Sequence, residues 1–317
     1  MRRERMIARR LAYAALVATD VAATATVLAR DFGLRRTDCA RGTGAGTAPV
    51  FAVGTSAVAL FAPDDPFVGG RAKPGVHHIA LEVDDLAAAV RRSTEAGIRA
   101  SDPEPGAGLR GARRRLLDPA ATSGVLTYLS EPLGLDAAPS SWVERIDHVG
   151  VASADNAAVL NAFATRLGCP LESTQTDVEV QIAVESFTSD KYGVVYHTRP
   201  PRPVGGLRVA FVTIGDCELE LLQDLDPRQG ARVAHDRAGT TQQDQGAIAR
   251  FVAARGAGLH HLALKVADIN GALARLARAG HALIDTVGRP GSRRALIGFI
   301  HPKSLNGVLV HLVQREP

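Results

Sequence analysis

One motif occurs twice in this chain, and that repetition constrains the fold more than any local pattern. Residues 75–130 open GVHHIALEVDDLAAAV and close SGVLTYLS; residues 258–313 open GLHHLALKVADINGAL and close NGVLVHLV. A second pair of segments aligns without a gap: LAYAALVATDVAATATVLARDFGL, from residue 11, against IDHVGVASADNAAVLNAFATRLGC at 146–169. Self-similarity over such lengths means that one supersecondary unit has been used several times. The basic, alanine-rich start imitates a secretory signal. Asp20 interrupts its apolar run, however, and its mid-chain counterpart predicts a strand and a helix instead. Cys39, Cys169 and Cys217 are scattered and form no CxxC pair, as expected of a reducing cytoplasm.

The hydrophobic period alternates regularly between 2 and 3.6 residues. The third unit predicts a strand at 146–152, a helix at 155–167 and strands at 178–187, 206–214 and 217–223. The fourth predicts a strand at 259–266, a helix at 268–279 and strands near 282–286, 294–300 and 307–313. Asp155 and Asp268 stand where helix N-caps belong, and Gly168 and Gly280 where helices stop. The same order is expected at 10–62 and 75–130, with 131–142 as a linker and a helix near 245–255 inside the polar stretch 224–257. The expected fold is α+β: four βαβββ modules paired into two domains, 1–132 and 143–317, with curved, mostly antiparallel sheets. A hydrophobic content of 46% against 22% charged residues suits two ordered cores. A net charge of only +4 without a basic tail disfavours nucleic acid, and no apolar stretch is long enough to predict a membrane span.

Side chains alternate faces along a strand, so each strand has two phases. Val149 and Val151 oppose His148; Leu219 and Leu221 oppose Glu218 and Glu220; Leu262, Leu264 and Val266 oppose His261 and Lys265; Val310 and Leu312 oppose His311. One phase is apolar throughout and suits packing on helices. The other offers His148, Glu220, His261 and His311, one from each strand. Three imidazoles and a carboxylate facing one surface form a plausible shell for one divalent ion: iron, zinc, cobalt, nickel or manganese. The equivalent positions of the first half carry Tyr13, Ala59, His78 and Tyr128, so that half is expected to be structural and free of metal.

These segments resemble the vicinal oxygen chelate superfamily, which includes glyoxalases, extradiol dioxygenases and methylmalonyl-CoA epimerase. The likeness to the epimerase covers 145–315 and rests on IDHVGVA, ELELLQ, GAGLHHLALKVADI, FIHPKS and GVLVHLVQ. The resemblance implies a metal role for His148, Glu220 and His261. Two departures stand out: His311 replaces the last glutamate ligand of the epimerase pattern, and no carboxylate stands near Ala210, where that pattern places its base. A first domain without metal beside a second with one also resembles extradiol and 4-hydroxyphenylpyruvate dioxygenases.

The expected activity is metal-dependent enolisation of a small substrate with adjacent oxygens, of epimerase, isomerase or lyase type. His311 or Glu218 would carry the proton. A non-haem iron dioxygenase and a non-catalytic binding protein are the alternatives. The expected partner is a small molecule, anionic or acyl-CoA in kind, with a homodimer left open. Lesser candidates are Lys191, Tyr192, His197, Arg199 and Arg202 in the loop 188–205, Arg293, Arg294 and Lys265; His77 and His260 fall in the helix-packed phase.

Overall fold

The computed structural model describes residues 6–42, 46–136, 140, 142–181, 184–200, 202–225 and 246–316. Its first half holds strands β1 (Arg10–Val17), β2 (Arg36–Ala40), β3 (Thr47–Val53), β4 (Ser56–Phe61), β5 (Gly75–Glu82), β6 (Gly106–Ala107), β7 (Arg113–Leu116) and β8 (Thr127–Ser130). The second holds β9 (Val143–Ser153), β10 (Leu171–Gln181), β11 (Val184–Ser189), β12 (Gly193–Thr198), β13 (Arg202–Ile214), β14 (Cys217–Asp224), β15 (Gly258–Val266), β16 (Arg289–Pro290), β17 (Leu296–Ile300) and β18 (Val310–Gln314). The helices are α1 (Val21–Arg30), α2 (Leu86–Glu95), α3 (Asn156–Leu160), α4 (Ala247–Arg255) and α5 (Ile269–Arg278).

Two eight-stranded sheets result, with strand orders β2-β3-β4-β1-β5-β8-β7-β6 and β10-β13-β14-β9-β15-β18-β17-β16. The two orders superimpose unit for unit. In each, two modules join through one antiparallel central pair, β1–β5 or β9–β15. Within each module the first strand pairs in parallel with the last, so the sheets are mixed. All four module helices start the same way. The carboxylates of Asp20, Asp85, Asp155 and Asp268 accept the backbone N–H of Ala23, Ala88, Ala157 and Gly271 at 2.9–3.0 Å. Gly168 and Gly280 follow the second-half helices with φ of 75° and 88°, a left-handed conformation that glycine adopts without a Cβ clash. After α3 the chain continues through a π-helical turn at Asn161–Arg166.

The apolar phases of both sheets enter one continuous core. It unites Leu11, Leu16 and Leu60 with Val149, Leu219, Leu262 and Leu312. Phe32 stacks on Trp142 with ring centroids 5.4 Å apart, joining the halves at the end of the linker. Among the described residues no helix is long and apolar enough to cross a membrane.

Three local expectations differ from the structure. The segment 282–286 makes only an isolated bridge, Leu283 to Ile300, because buried Asp285 accepts the Phe299 N–H at 2.9 Å and ends the pairing there. The expected strand at 178–187 runs instead as β10, paired with β13, and is followed by a separate two-stranded hairpin of β11 and β12. That hairpin occupies most of what reads as a loop at 188–205; its β-branched and aromatic alternation favours strands. Within the stretch 224–257, residues 226–245 lie outside the described residues, and α4 forms at its end.

Candidate metal centre

The two half-barrels are filled differently. The centre of the first is packed solid by Tyr13, Phe61, Phe67, Ala80 and Leu109, with Tyr128 against them. The centre of the second encloses a cavity of about 290 Å³ walled by Val209, Phe211, Leu222, Ile297, Phe299 and Leu309.

His148, His261 and His311 meet at the base of that cavity, each buried, with ligand atoms all within 4.8 Å of one another. His148 Nε2 lies 3.4 Å from His261 Nε2 and 3.1 Å from His311 Nε2. Glu220 Oε2 stands 3.2 Å from His148 Nε2 and 3.4 Å from His261 Nε2. Donors bonded at about 2.1 Å to one ion and separated by octahedral or tetrahedral angles lie roughly 3.0–3.4 Å apart. The separations among His148, His261, His311 and Glu220 given above fall in that range, and the three imidazoles form a group able to hold one ion. The strand register explains the convergence, since His261 and Glu220 both stand opposite Gly150, and His311 and His148 both stand opposite Ala263.

Groups behind the ligands orient them. Asp147, fully buried, lies 2.8 Å from His148 Nδ1 and is also held by Arg315, with Arg145 at 3.4 Å. A carboxylate on Nδ1 places the proton there and aims the Nε2 lone pair at the centre. His260 Nδ1 lies 3.0 Å from His261 Nδ1. Burial disfavours charge on every group here. Even so, the carboxylates of Glu220 and Asp147 push His148 up to about 9. Burial acts to raise Glu220, but the facing His148 and His261 hold its carboxyl well below the usual range. His261 and His311 are pulled down by burial, and His260 falls to about 3. A divalent cation at this place would compete with the proton that the two carboxylates favour on His148.

His260 corrects the two-phase expectation. A register shift between Leu259 and His261 marks a bulge, and a bulge turns two consecutive residues toward one face. His260 therefore lines the cavity, edge-on to Phe251 at 4.9 Å. His77 repeats the arrangement, with its Nδ1 2.8 Å from His78 Nδ1.

Gly150 is set by the ligand opposite it. A Cβ there would lie 2.1–2.5 Å from the His261 ring. Gly150→Ala is expected to tilt that imidazole and weaken metal binding by on the order of 10–100-fold, a range seen when ligand orientation is disturbed. Competition with a chelating dye measures this; unchanged affinity would mean that the ring has room to move.

The other candidates are placed as follows. Glu218 does not line the cavity: Arg293 Nη1 donates to its Oε1 at 2.9 Å, the other guanidinium nitrogen also contacts it, and Arg315 stands 3.6 Å away. The Arg293 guanidinium carbon lies over the Phe211 ring, 3.6 Å from its centre, and Arg294 extends beside Glu316. Lys265 pairs with Glu144 at 2.9 Å. Lys191, Tyr192, His197 and Arg199 sit on the exposed hairpin and its turn, away from the cavity lining. Ala210 belongs to the helix-packed core, and Val209 and Phe211 face the cavity on β13, so that strand offers no carboxylate.

Two cavity residues escape a motif-based reading. Asp177 on β10 lines the cavity, and its carboxyl is raised by burial and by the charge of Glu220. Gln175 Nε2 donates to it at 2.7 Å while Gln175 Oε1 accepts from the Arg293 N–H at 3.2 Å. Along β10, Ser173, Gln175 and Asp177 are half-buried between exposed neighbours, a pattern of the folded sheet that the polar run LESTQTD does not signal. Arg289 also lines the cavity, its Nε donating to Asp285 at 3.0 Å.

In the first half a side chain fills the equivalent place. Arg114, 5% exposed, lies 3.2 Å from both His78 Nε2 and the Tyr13 hydroxyl and donates to the Phe67 carbonyl. Its guanidinium stacks between Phe67 and Tyr128 at 3.6 and 4.1 Å. Arg114 pairs with Ser130 on the neighbouring strand, as Ile297 pairs with Val313 in the second half.

The chain belongs to the glyoxalase/bleomycin resistance protein/dioxygenase superfamily, whose model matches residues 14–113 and 147–299. Among curated proteins it is 28% identical over 131 residues to the mitochondrial methylmalonyl-CoA epimerase of Dictyostelium discoideum, covering 40% of this chain and 69% of that protein. It is 26% identical over 174 residues to an ethylmalonyl-CoA/methylmalonyl-CoA epimerase of Cereibacter sphaeroides, covering 54% of this chain and 98% of that protein. Among solved structures, a mutant 4-hydroxymandelate synthase from Streptomyces coelicolor shares the fold. The TM-score is 0.60 at 18% identity, covering 98% of this chain and 93% of the other.

Proposed function

We propose that the second half-barrel is the active site of a divalent-metal-dependent enzyme that enolises a small substrate through adjacent oxygens, in the manner of an epimerase, isomerase or lyase. The observation that carries this reading is the convergence of His148, Glu220, His261 and His311 in a cavity whose remaining walls are largely apolar. These four would hold the ion, with the first half-barrel as scaffold. When bound, the ion supplies Lewis-acid stabilisation of the negative charge that develops on the substrate oxygens. The chain's own residues do the rest. The walls exclude water, and Asp177 takes the proton: the substrate C–H bond breaks, its electron pair stays in the enolate, and the proton passes to the Asp177 carboxylate. Return of that proton reforms the bond. His311 would hold the ion and Glu218 is paired with Arg293, so neither is assigned the proton. Relatives named as methylmalonyl-CoA epimerases agree with this chemistry.

A second reading, an iron-dependent dioxygenase, draws on the full-length correspondence of fold with 4-hydroxymandelate synthase. Elemental analysis of the untagged chain beside His261→Ala separates the two. One equivalent of ion in the parent, lost in the variant, with solvent deuterium entering C3 of 2-oxoglutarate, is the expected result. Iron with oxygen uptake and no exchange would favour the dioxygenase. Absence of any ion, before and after reconstitution, would overturn the site and leave a binding protein.

A further inference from the structure

We infer that Arg289 is an anion-binding residue that selects substrates carrying a second carboxylate, remote from the oxygens that meet the ion. The inference rests on the enolisation reading and narrows its substrate class.

Away from the histidines and Glu220, the cavity walls are mostly aliphatic or aromatic, with Asp177, Arg289 and Arg315 among them, and the volume of about 290 Å³ is small. Pockets for drug-sized ligands start at roughly that size, so a small acid fits better than a bulky molecule. Among the described residues, Arg289 is a strong cation of this lining that keeps a buried, unused donor. Its side chain is 15% exposed, and Nη1 is buried with no hydrogen-bond partner among the described residues. The other cavity-lining arginine, Arg315, is taken up by Asp147.

Arg289 is also held in place for such a task. Asp285, 4% exposed in its side chain, accepts from Arg289 Nε at 3.0 Å with one oxygen and from the Phe299 N–H at 2.9 Å with the other. The guanidinium carbon lies 5.4 Å from the centre of the Phe299 ring, and that ring touches His311 at 4.4 Å between centroids. Fixing the Nε edge on Asp285 leaves the Nη edge for a ligand. A buried charged donor without a partner is costly, and a carboxylate bonded to it would recover that cost.

The ligand set points the same way. With His311 in place of a glutamate, a divalent ion and Glu220 together leave a net positive charge, which favours an anionic substrate over a neutral one.

The test compares 2-oxoglutarate with 2-oxohexanoate, which offer the same adjacent oxygens but differ in the distal carboxylate, by calorimetric titration of the metal-loaded full chain. The parent is expected to bind 2-oxoglutarate at least tenfold more tightly. Arg289→Gln should abolish that difference while leaving 2-oxohexanoate affinity and ion content unchanged, and Arg289→Lys should restore part of it. Equal affinities in the parent, a preference that survives in Arg289→Gln, or binding of neither acid would overturn the inference. Ion content, measured on the same samples, tells failure of the metal site from failure of the anion site.

Discussion

Asp177→Asn is expected to slow solvent-deuterium exchange at C3 of 2-oxoglutarate by about 10²–10⁴-fold, the usual contribution of a positioned general base. Ion content and ligand affinity should be unchanged. Asparagine keeps the shape and can still accept the hydrogen bond from Gln175 Nε2, so the cavity wall should not move. What it removes is the capacity to bond a proton. In the parent, burial and the charge of Glu220 raise the Asp177 carboxyl, which brings its basicity closer to that needed near neutral pH. Asp177→Glu should recover part of the rate. Exchange at the parent rate in Asp177→Asn would assign the proton to another group.

Ile297→Arg is expected to empty the metal centre while leaving the protein folded. The first half supplies the precedent. Arg114, which pairs with Ser130 two residues beyond Tyr128, brings its guanidinium to 3.2 Å from His78 Nε2, the atom that corresponds to the His261 ligand nitrogen. Ile297 stands at the matching place and lines the cavity. An arginine there would reach the same imidazole edge and find Glu220 as a counter-charge that the first half lacks. A divalent ion about 4 Å from a fixed cation meets a repulsion on the order of several kcal/mol even when well screened, and every 1.4 kcal/mol is a factor of ten in affinity. Elemental analysis should find less than about a tenth of the parent's ion content, with circular dichroism unchanged. Retention of the ion would mean that the guanidinium turns elsewhere and that the parallel between the halves ends at the backbone. Arg114→Ile is not expected to create a metal site, because Tyr13, Ala59 and Tyr128 supply no donor set beside His78.

Much of this protein is written in residue order. Repetition of one strand–helix–strand unit, with an aspartate at each helix start and apolar side chains in every second strand position, determined the modules and the face each strand buries. The same alternation named His148, Glu220, His261 and His311, because period 2 places them opposite the helix-packed phase. Other features depend on contacts between segments far apart in the chain. A bulge of one residue in β15 returned His260 to the cavity, and periodicity cannot signal it because it arises from a mismatch with β9. Glu218 shares its strand phase with Glu220 but is claimed by Arg293, which arrives from a turn 75 residues later. Asp177 faces the cavity because β10 pairs with β13, and Arg289 because Asp285 anchors it. Sequence alone could determine periodicity and repeats, since those follow from local backbone geometry. Which charges are paired, which are left facing a cavity, and whether a half-barrel is filled by a guanidinium or open to an ion were decided by tertiary packing, because each depends on what a distant segment brings to within a few ångströms.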